Sequence, residues 1–398
     1  MPIPTAEMGV PFVDHVFDRS DPLKSIRLIA SFLFPVGHEA IDVGDADIVV
    51  TELSQGTTNA LLKFSYRAPD AAAAGPIGSD RSHVLVKIYG DGTDIIIDRN
   101  KELTVHQLLA QNGLSSSPLV RFANGHAYEF IAGTPCSDRD LAEERVWRGV
   151  ARELARWHAT LPVVHPRDAC ESLALQPSVW STAKKWLGAI PDYSSDANKG
   201  NLHEGLDYLT EKLLFSCSSP DPLVLGHGDL LSGNIIMIQE DGKEGDDKAG
   251  TVRFIDYEHV TYCPRAFELA NHFAEWTGFE CDYNRLPTRT TRREFIRAYL
   301  EAYSEFAAGA MVTECEVDKL MGQVDAFRGF PGFYWGLCAL IQAQASTGTI
   351  DFDYGGYAEK RLAEYQAWRR VTEDGVTFGP RVVGEELLLR EEKWATAS

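Results

Sequence analysis

Apolar residues recur three and four positions apart from Asp21 to Phe34, at Leu23, Ile26, Ile29, Ala30 and Leu33, behind Ser20 or Asp21 as a cap. That spacing predicts a helix, which would cover one flank of the first part of the chain. The period then shortens. Runs at Asp47–Leu53, Thr58–Tyr66 and Val84–Tyr89 predict strands, and the Ala-, Gly- and Pro-rich segment Ala68–Ser82 predicts a flexible hairpin insertion between two of them. Asp98–Gln111 reads as a helix capped by Asp98 and stopped at Asn112-Gly113, with further strands near Leu119–Phe122 and His126–Ile131. Ala132-Gly133-Thr134-Pro135 breaks the pattern, so residues 1–132 are expected to form an N-terminal lobe with its own helix, and residues 133–398 a C-terminal lobe.

Beyond the break, helical spacing dominates: Asp138–Thr160, Ser178–Leu187, Leu202–Leu214, Arg265–Trp276, Arg292–Ala308, Glu316–Gln344 with a break near Gly329–Gly332, and Gly356–Trp368. One stretch interrupts the helices. Around Leu225 to Phe254, short apolar runs read as strands, joined as a hairpin through the charged turn Glu240–Gly250, and no internal repeat is present.

That interruption carries the chemistry. LGHGDLLSGN puts His227, Asp229 and Asn234 on one loop, and FIDYEH puts Asp256 and Glu258 on another, each beside a strand-like run. His-x-Asp-Leu-x-x-x-Asn reproduces the catalytic-loop frame of protein kinases, and Ile-Asp-Tyr-Glu stands where their metal-binding Asp triplet would be. Two such frames in the right order point to magnesium-dependent phosphoryl transfer, with Asp229 as the catalytic base and Asn234 and Asp256 as magnesium ligands. Glu258, two residues on, points the same way in an extended chain and becomes a ligand for a second magnesium. The plainer alternatives are a capping or turn role for Asp229, Asn234 and Asp256, and a solvated carboxylate at Glu258. His227 is expected to brace its loop. Gly228 stands where a larger polar residue belongs in the kinase frame, which predicts that some support of the loop is missing.

Upstream, Lys87 on a strand and Glu102 on the following helix fit the ion pair that orients nucleotide phosphates in kinase folds, against the alternative of two unrelated surface charges. The turn Gln55-Gly56-Thr57-Thr58-Asn59 could lay backbone N–H groups over phosphate, which makes Gly56 and Asn59 nucleotide-binding candidates. Glu129-Phe130-Ile131 would supply backbone for adenine at Glu129 and Ile131, although a plain strand end has the same pattern. Aromatics at Phe333-Tyr334-Trp335 and Phe352–Tyr357, in a chain rich in carboxylates, suit an ammonium ligand; packing in a helical core is the alternative.

Charge narrows the partners. A formal net charge of −20 over 398 residues, with no Lys/Arg cluster, argues against nucleic acid and for cationic ligands, so a nucleotide needs magnesium and local Lys or Arg. The seven cysteines are scattered and never in a C-x-x-C pair, which argues against zinc or a disulfide scaffold and for a reducing compartment. No basic stretch followed by an apolar one opens the sequence, and no apolar run reaches the length of a membrane span. A cytoplasmic protein without stable membrane insertion is expected, its oligomeric state open.

From about Leu53 to Trp368 the sequence resembles the choline/ethanolamine kinase family, and most of all its ethanolamine kinases. The stretches QGTTNALLK, VLVKIYG with DRNKE, YEFIAG, GHGDLLSGN, FIDYEHVTY, ELANHFAEW, WGLCALIQAQ and STGTIDFDY with Tyr357 carry the likeness. The resemblance implies an α+β, bilobal, eukaryotic-protein-kinase-like fold with a small β-rich N-lobe and a large, mostly helical C-lobe. It implies an enzyme that phosphorylates a small amino alcohol with ATP and Mg2+. Position by position, it implies Asp229 as base, Asn234, Asp256 and Glu258 at the metal, Lys87 on phosphates, and Glu275, Trp276, Trp335 and Tyr357 lining an ammonium pocket beside Asp229. Cys338 replaces a second Trp usual one turn after Trp335, and His259 replaces a Tyr common after Asp-x-Glu. Both thin the aromatic wall on which a quaternary ammonium depends, whereas a primary ammonium can donate three hydrogen bonds. The expected reaction is therefore conversion of ethanolamine to phosphoethanolamine, the first step of the CDP-ethanolamine route. The alternatives are a choline or dual-specificity kinase, an aminoglycoside-type phosphotransferase, or a catalytically silent kinase-fold module.

Overall fold

The strands expected near the N-terminus pair into one twisted sheet. The computed structural model describes residues 9–33, 48–53, 59–67, 81–90, 92–163, 178–190, 196–215, 222–239, 249–345, 352–374 and 386–396. It divides into two compact units: one of residues 3–94 and 98–132, the other of residues 133–398 with 1–2 and 95–97.

In the first unit, strands β1 (Phe12–Val13), β2 (Ile48–Leu53), β3 (Asn59–Arg67), β4 (Arg81–Tyr89), β5 (Pro118–Phe122) and β6 (Gly125–Glu129) form a six-stranded sheet in the order β1-β5-β6-β4-β3-β2. Only the short β1 runs parallel to its neighbour. Helix α1 (Pro22–Leu33) lays Ile26, Ile29 and Leu33 on this sheet, against a core that includes Phe17, Phe64, Val86, Val120 and Phe122. Removing these side chains from water supplies most of the stability of the face, at ~1.5–3 kcal/mol for each fully buried one. Helix α2 (Arg99–Gln111) starts where Asp98 caps it, the carboxylate accepting from the N–H groups of Asn100 and Lys101. The expected insertion at Ala68–Ser82 lies outside the described residues up to position 80, as does the phosphate-binding turn with Gly56. The last strand ends at Glu129, so Ile131 falls beyond it.

The second unit holds β7 (Thr134–Pro135), then α3 (Glu144–Thr160), α4 (Val179–Ala189) and α5 (Asp196–Thr210). Strands β8 (Leu223–Gly226), β9 (Ile235–Met237), β10 (Val252–Phe254) and β11 (Thr261–Pro264) follow. Helices α6 (Arg265–Glu275), α7 (Arg289–Phe306), α8 (Glu314–Phe327), α9 (Phe330–Ala345), α10 (Tyr354–Asp374) and α11 (Glu386–Ala395) complete it. The expected hairpin is present as β9 paired with β10, and its charged turn lies outside the described residues between positions 240 and 248. β8 pairs with β11, from Thr261 opposite Gly226 to Pro264 opposite Leu223, a pairing the sequence pattern did not suggest.

Helix α6 sits at the centre: every residue from Ala266 to Glu275 is buried, polar ones included. Helices α9 and α10 pack so closely that a Cβ on Gly332 would lie 2.5 Å from the carbonyl oxygen of Arg361, which leaves glycine as the residue that fits. The unexpected α11 is pinned by Trp394. The Arg292 guanidinium stacks 4.1 Å from its ring centroid, and the indole N–H donates to Asp325 at 2.8 Å. Among the described residues no helix is long and apolar enough to cross a membrane.

Candidate active site

Strand β8, with all four residues buried, delivers the chain into the loop His227–Asn234, and β9 takes it away. His227 braces that loop. Its Nε2 donates to the carbonyl of Ile255 at 2.9 Å while Nδ1 faces the N–H of Asp229 at 3.3 Å, the tautomer these two partners require. Burial pushes its pKa down to about 4, so the ring is neutral at physiological pH.

Gly228 has φ +80°, and a Cβ there would lie 2.4 Å from the carbonyl oxygen of His259. The expectation of missing support at this position is corrected by the structure. A larger side chain does not fit, and the bracing comes from α6 instead: the Gly228 N–H donates to both carboxylate oxygens of Glu268 at 3.2 Å, and its carbonyl accepts from Asn271 Nδ2 at 2.9 Å. Burial raises the Glu268 carboxyl to about 7.

Asn234 closes a short 3-10 turn and donates through Nδ2 to both the backbone carbonyl (2.8 Å) and Oδ2 (3.2 Å) of Asp229. Its amide oxygen is thereby turned to the other side. The Asp229 carboxyl is raised well above the usual carboxylate range, first by removal from water and then by the charges of Glu275, Asp256 and Glu258, against the opposing Asn234 bond. Asp256 adopts φ +65°, a left-handed conformation that Asp tolerates better than most residues. Two positions on, Glu258 is buried, its Oε1 3.9 Å from His259 Nε2. The structure thus gathers Asp229, Asn234, Asp256 and Glu258 in one unit and on two adjoining loops. The donor set suits magnesium, since an amide oxygen and carboxylates are hard oxygen ligands, and the lone amide N–H₂ in the group is already committed to Asp229.

Beside the loop stands an aromatic group. Trp335 on α9 donates its indole N–H to Asn271 Oδ1 at 2.8 Å, and His259 meets its ring edge-on, centroids 5.1 Å apart. The Trp186 ring lies tilted against Tyr334, centroids 4.5 Å apart, and edge-on to His259 at 6.1 Å. Cys338, one turn after Trp335, is buried; its thiol is pushed up by burial and by the charges of Asp229 and Glu258. Tyr357 is held by Phe279 and Phe352, with the Arg361 guanidinium 5.8 Å from its ring. Glu275 pairs with fully buried Arg361 at 3.1 Å, and Trp276 is buried with its N–H donated to His272 at 3.2 Å. Sequence reasoning missed Arg361. It opens a row of alternating charges that is buried up to its half-buried end at Arg328: Arg361 lies 3.6 Å from Glu364, Glu364 3.8 Å from Arg390, Arg390 2.8 Å from Glu391, and Glu391 2.7 Å from Arg328.

In the sheet unit, Lys87 and Glu102 form a buried ion pair at 2.7 Å. Arg99 was not anticipated, though its place three residues before Glu102 was a signal. It bonds Glu102 at 3.1 Å, Asn59 at 2.9 Å and Thr93 at 2.6 Å, so Asn59 is tied to the same cluster. Glu129 is exposed and its carboxylate accepts from the N–H of Ser117; Ile131 is half-buried in the connection that follows.

The choline/ethanolamine kinase family model matches residues 50–366. The chain is 35% identical over 304 residues to an ethanolamine kinase of Drosophila melanogaster, a match covering 73% of this chain and 55% of that protein. It is 36% identical over 295 residues to mouse ethanolamine kinase 1, covering 71% of this chain and 76% of the relative. The match therefore spans little more than half the length of the Drosophila relative. A solved Plasmodium vivax ethanolamine kinase superposes with a TM-score of 0.64 at 23% identity, covering 92% of this chain and 98% of that one, and shares the fold of a β-sheet lobe and a helical lobe. With the sheet unit, the helical unit and the two acidic loops in place, the matched span shows that the chain belongs to the choline/ethanolamine kinase family.

Proposed function

We propose that the protein catalyses the ATP- and magnesium-dependent phosphorylation of ethanolamine to phosphoethanolamine, the entry to the CDP-ethanolamine route, in the cytoplasm. The state of Asp229 carries the reading. Asp229 is half-buried, and partial removal from water together with three nearby carboxylates raises its proton affinity toward that of an effective general base. Asn234 fixes one carboxylate oxygen and leaves the other for the substrate hydroxyl. Asp229 then accepts the hydroxyl proton as the alcohol oxygen attacks the γ-phosphorus in line and the bond from that phosphorus to the bridging oxygen breaks, releasing ADP.

Asn234, Asp256 and Glu258 would hold the magnesium, which when bound offsets charge on the transferring phosphoryl group. Lys87, kept in place by Glu102, would meet the phosphates as a fixed positive charge, with Gly56, Asn59, Glu129 and Ile131 as the further nucleotide-binding positions. Trp335, Tyr357, Glu275 and Trp276 are the acceptor-pocket positions. Two features favour a primary ammonium: Cys338 offers no ring one turn from Trp335, and Glu275, whose charge acts on Asp229, can accept N–H bonds. The ethanolamine kinase names of the Drosophila and mouse relatives support the same substrate. The scattered spacing of the seven cysteines, with no C-x-x-C pair, supports a reducing compartment.

The test is phosphorylation by the purified protein, with ethanolamine, choline and an aminoglycoside compared by kcat/KM. Ethanolamine should lead. Equal or better turnover of choline refutes the substrate choice, and no turnover of any acceptor refutes the kinase reading. Asp229→Asn should lower kcat by ~10²–10⁴; near-normal kcat in that variant removes the base.

A further inference from the structure

Helix α6 has no exposed face, so each of its polar side chains must find partners inside the protein. Two neighbours on it do so in the same way. Asn271 accepts the indole N–H of Trp335 on Oδ1 and donates from Nδ2 to the carbonyl of Gly228, at 2.8 and 2.9 Å. An indole can only donate and a carbonyl can only accept, so one amide orientation satisfies both. His272 accepts the indole N–H of Trp276 on Nε2 at 3.2 Å and meets the carbonyl of Leu230 from Nδ1 at 2.8 Å. Burial pushes the His272 pKa down to about 4, so the ring is neutral and its single proton sits on Nδ1.

The two carbonyls belong to the residues on either side of Asp229. The peptide entering Asp229 is tied through Asn271 to Trp335, and the carbonyl of the residue following it is tied through His272 to Trp276. Trp335 also meets His259 edge-on, and His259 contributes the carbonyl that forbids a side chain on Gly228. A rotation of the Trp335 ring therefore has a direct mechanical path to the backbone that aims Asp229.

We propose that Asn271 is a positioning residue that couples the Trp335 ring to the orientation of Asp229, so that filling the acceptor pocket and aiming the base occur together. The inference rests on the reading of Asp229 as base and Trp335 as part of the acceptor pocket. A residue that merely satisfied a buried indole would affect folding alone.

The test compares Trp335→Phe, which keeps an aromatic ring and removes the N–H, with Asn271→Leu and with the double variant. Steady-state kinetics use ethanolamine and ATP, normalised to the fraction of protein that binds nucleotide. Each single variant should lower kcat by about 10- to 100-fold with KM for ATP nearly unchanged. The double variant should be no worse than the weaker single one, because both remove the same link. Unchanged kcat in Trp335→Phe, with only KM for ethanolamine raised, overturns the coupling. So do losses that multiply in the double variant. If Asn271→Leu does not fold, the smaller Asn271→Ala, which leaves the Trp335 ring in place, is measured instead. Asp229→Asn run alongside separates the failures: near-normal kcat there removes the base itself, whereas a dead Asp229→Asn beside a fully active Trp335→Phe removes only the coupling.

Discussion

The sharpest local prediction concerns Gly228→Ala. Alanine at φ +80° costs about 1–2 kcal/mol, because Cβ crowds the following carbonyl in the left-handed region. The larger effect is steric. The new Cβ would stand 2.4 Å from the His259 carbonyl oxygen, where ordinary contact begins at 3.4 Å, so the loop or the 259 segment must give by about 1 Å. Backbone atoms lie on both sides, and the loop is also held by Glu268 and Asn271, so little of that shift can be absorbed by a side chain. A misplacement of about 1 Å in a group that must meet its partner at hydrogen-bond distance lowers the rate by ~10²-fold. The variant should therefore melt earlier and lose kcat on that scale, measured on protein that still binds nucleotide. Gly322→Ala on α8 is the control, since a Cβ there meets nothing within 4 Å; it should keep full activity and gain up to about 1 kcal/mol of helix stability. Gly228→Ala with kcat within about two-fold of wild type would refute the account.

Glu268→Gln keeps an acceptor for the Gly228 N–H but removes a titrating carboxyl. The Glu268 pKa is raised on folding from 4.5 to about 7, so the folded state holds the proton more tightly and stability falls as pH rises through that interval. The melting temperature of the variant, relative to wild type, should therefore improve steadily from pH 4.5 to 7; a constant offset would contradict it. Cys338→Trp should raise the choline-to-ethanolamine ratio of kcat/KM by about 2- to 30-fold, the equivalent of one added cation–π face at ~0.5–2 kcal/mol, and an unchanged ratio in folded protein would show that position 338 does not face the acceptor. In the metal-free protein the Asp229 carboxyl should titrate above the usual carboxylate range, followed by NMR, and magnesium should lower that value by offsetting the charges of Asp256 and Glu258. Titration of Asp229 near pH 4 in the absence of metal would contradict it.

The local signals in the sequence were strong where chemistry and backbone coincide. Asp98 capping α2 and the hairpin of β9 with β10 follow from residue types a few positions apart. Gly228 was misread because the kinase frame describes residue identity, whereas the reason for glycine is a carbonyl thirty-one residues later in the chain. The polar residues of α6 were invisible for a related reason. ELANHFAE has a helical pattern, but nothing in it says that Glu268, Asn271 and His272 reach one loop, since that depends on β8 and α6 lying side by side. Arg99 and Arg361 were missed because an ion pair is a property of two positions and only one of each had been singled out.

The row of buried charges from Glu275 to Arg328 also bears on how the sequence can drift. Removing Glu275 takes the nearer carboxylate from fully buried Arg361 and leaves it Glu364, which Arg390 also approaches at 3.8 Å; breaking a buried pair in this way costs up to about 3–5 kcal/mol, while replacing neighbouring rungs together by apolar residues can be nearly neutral. Positions 275, 361, 364, 390, 391 and 328 are therefore expected to change as a set. A library that randomises Glu275 alone would recover mostly destabilised proteins. One that varies Glu275 together with its partners on α10 and α11 would keep more of its members folded.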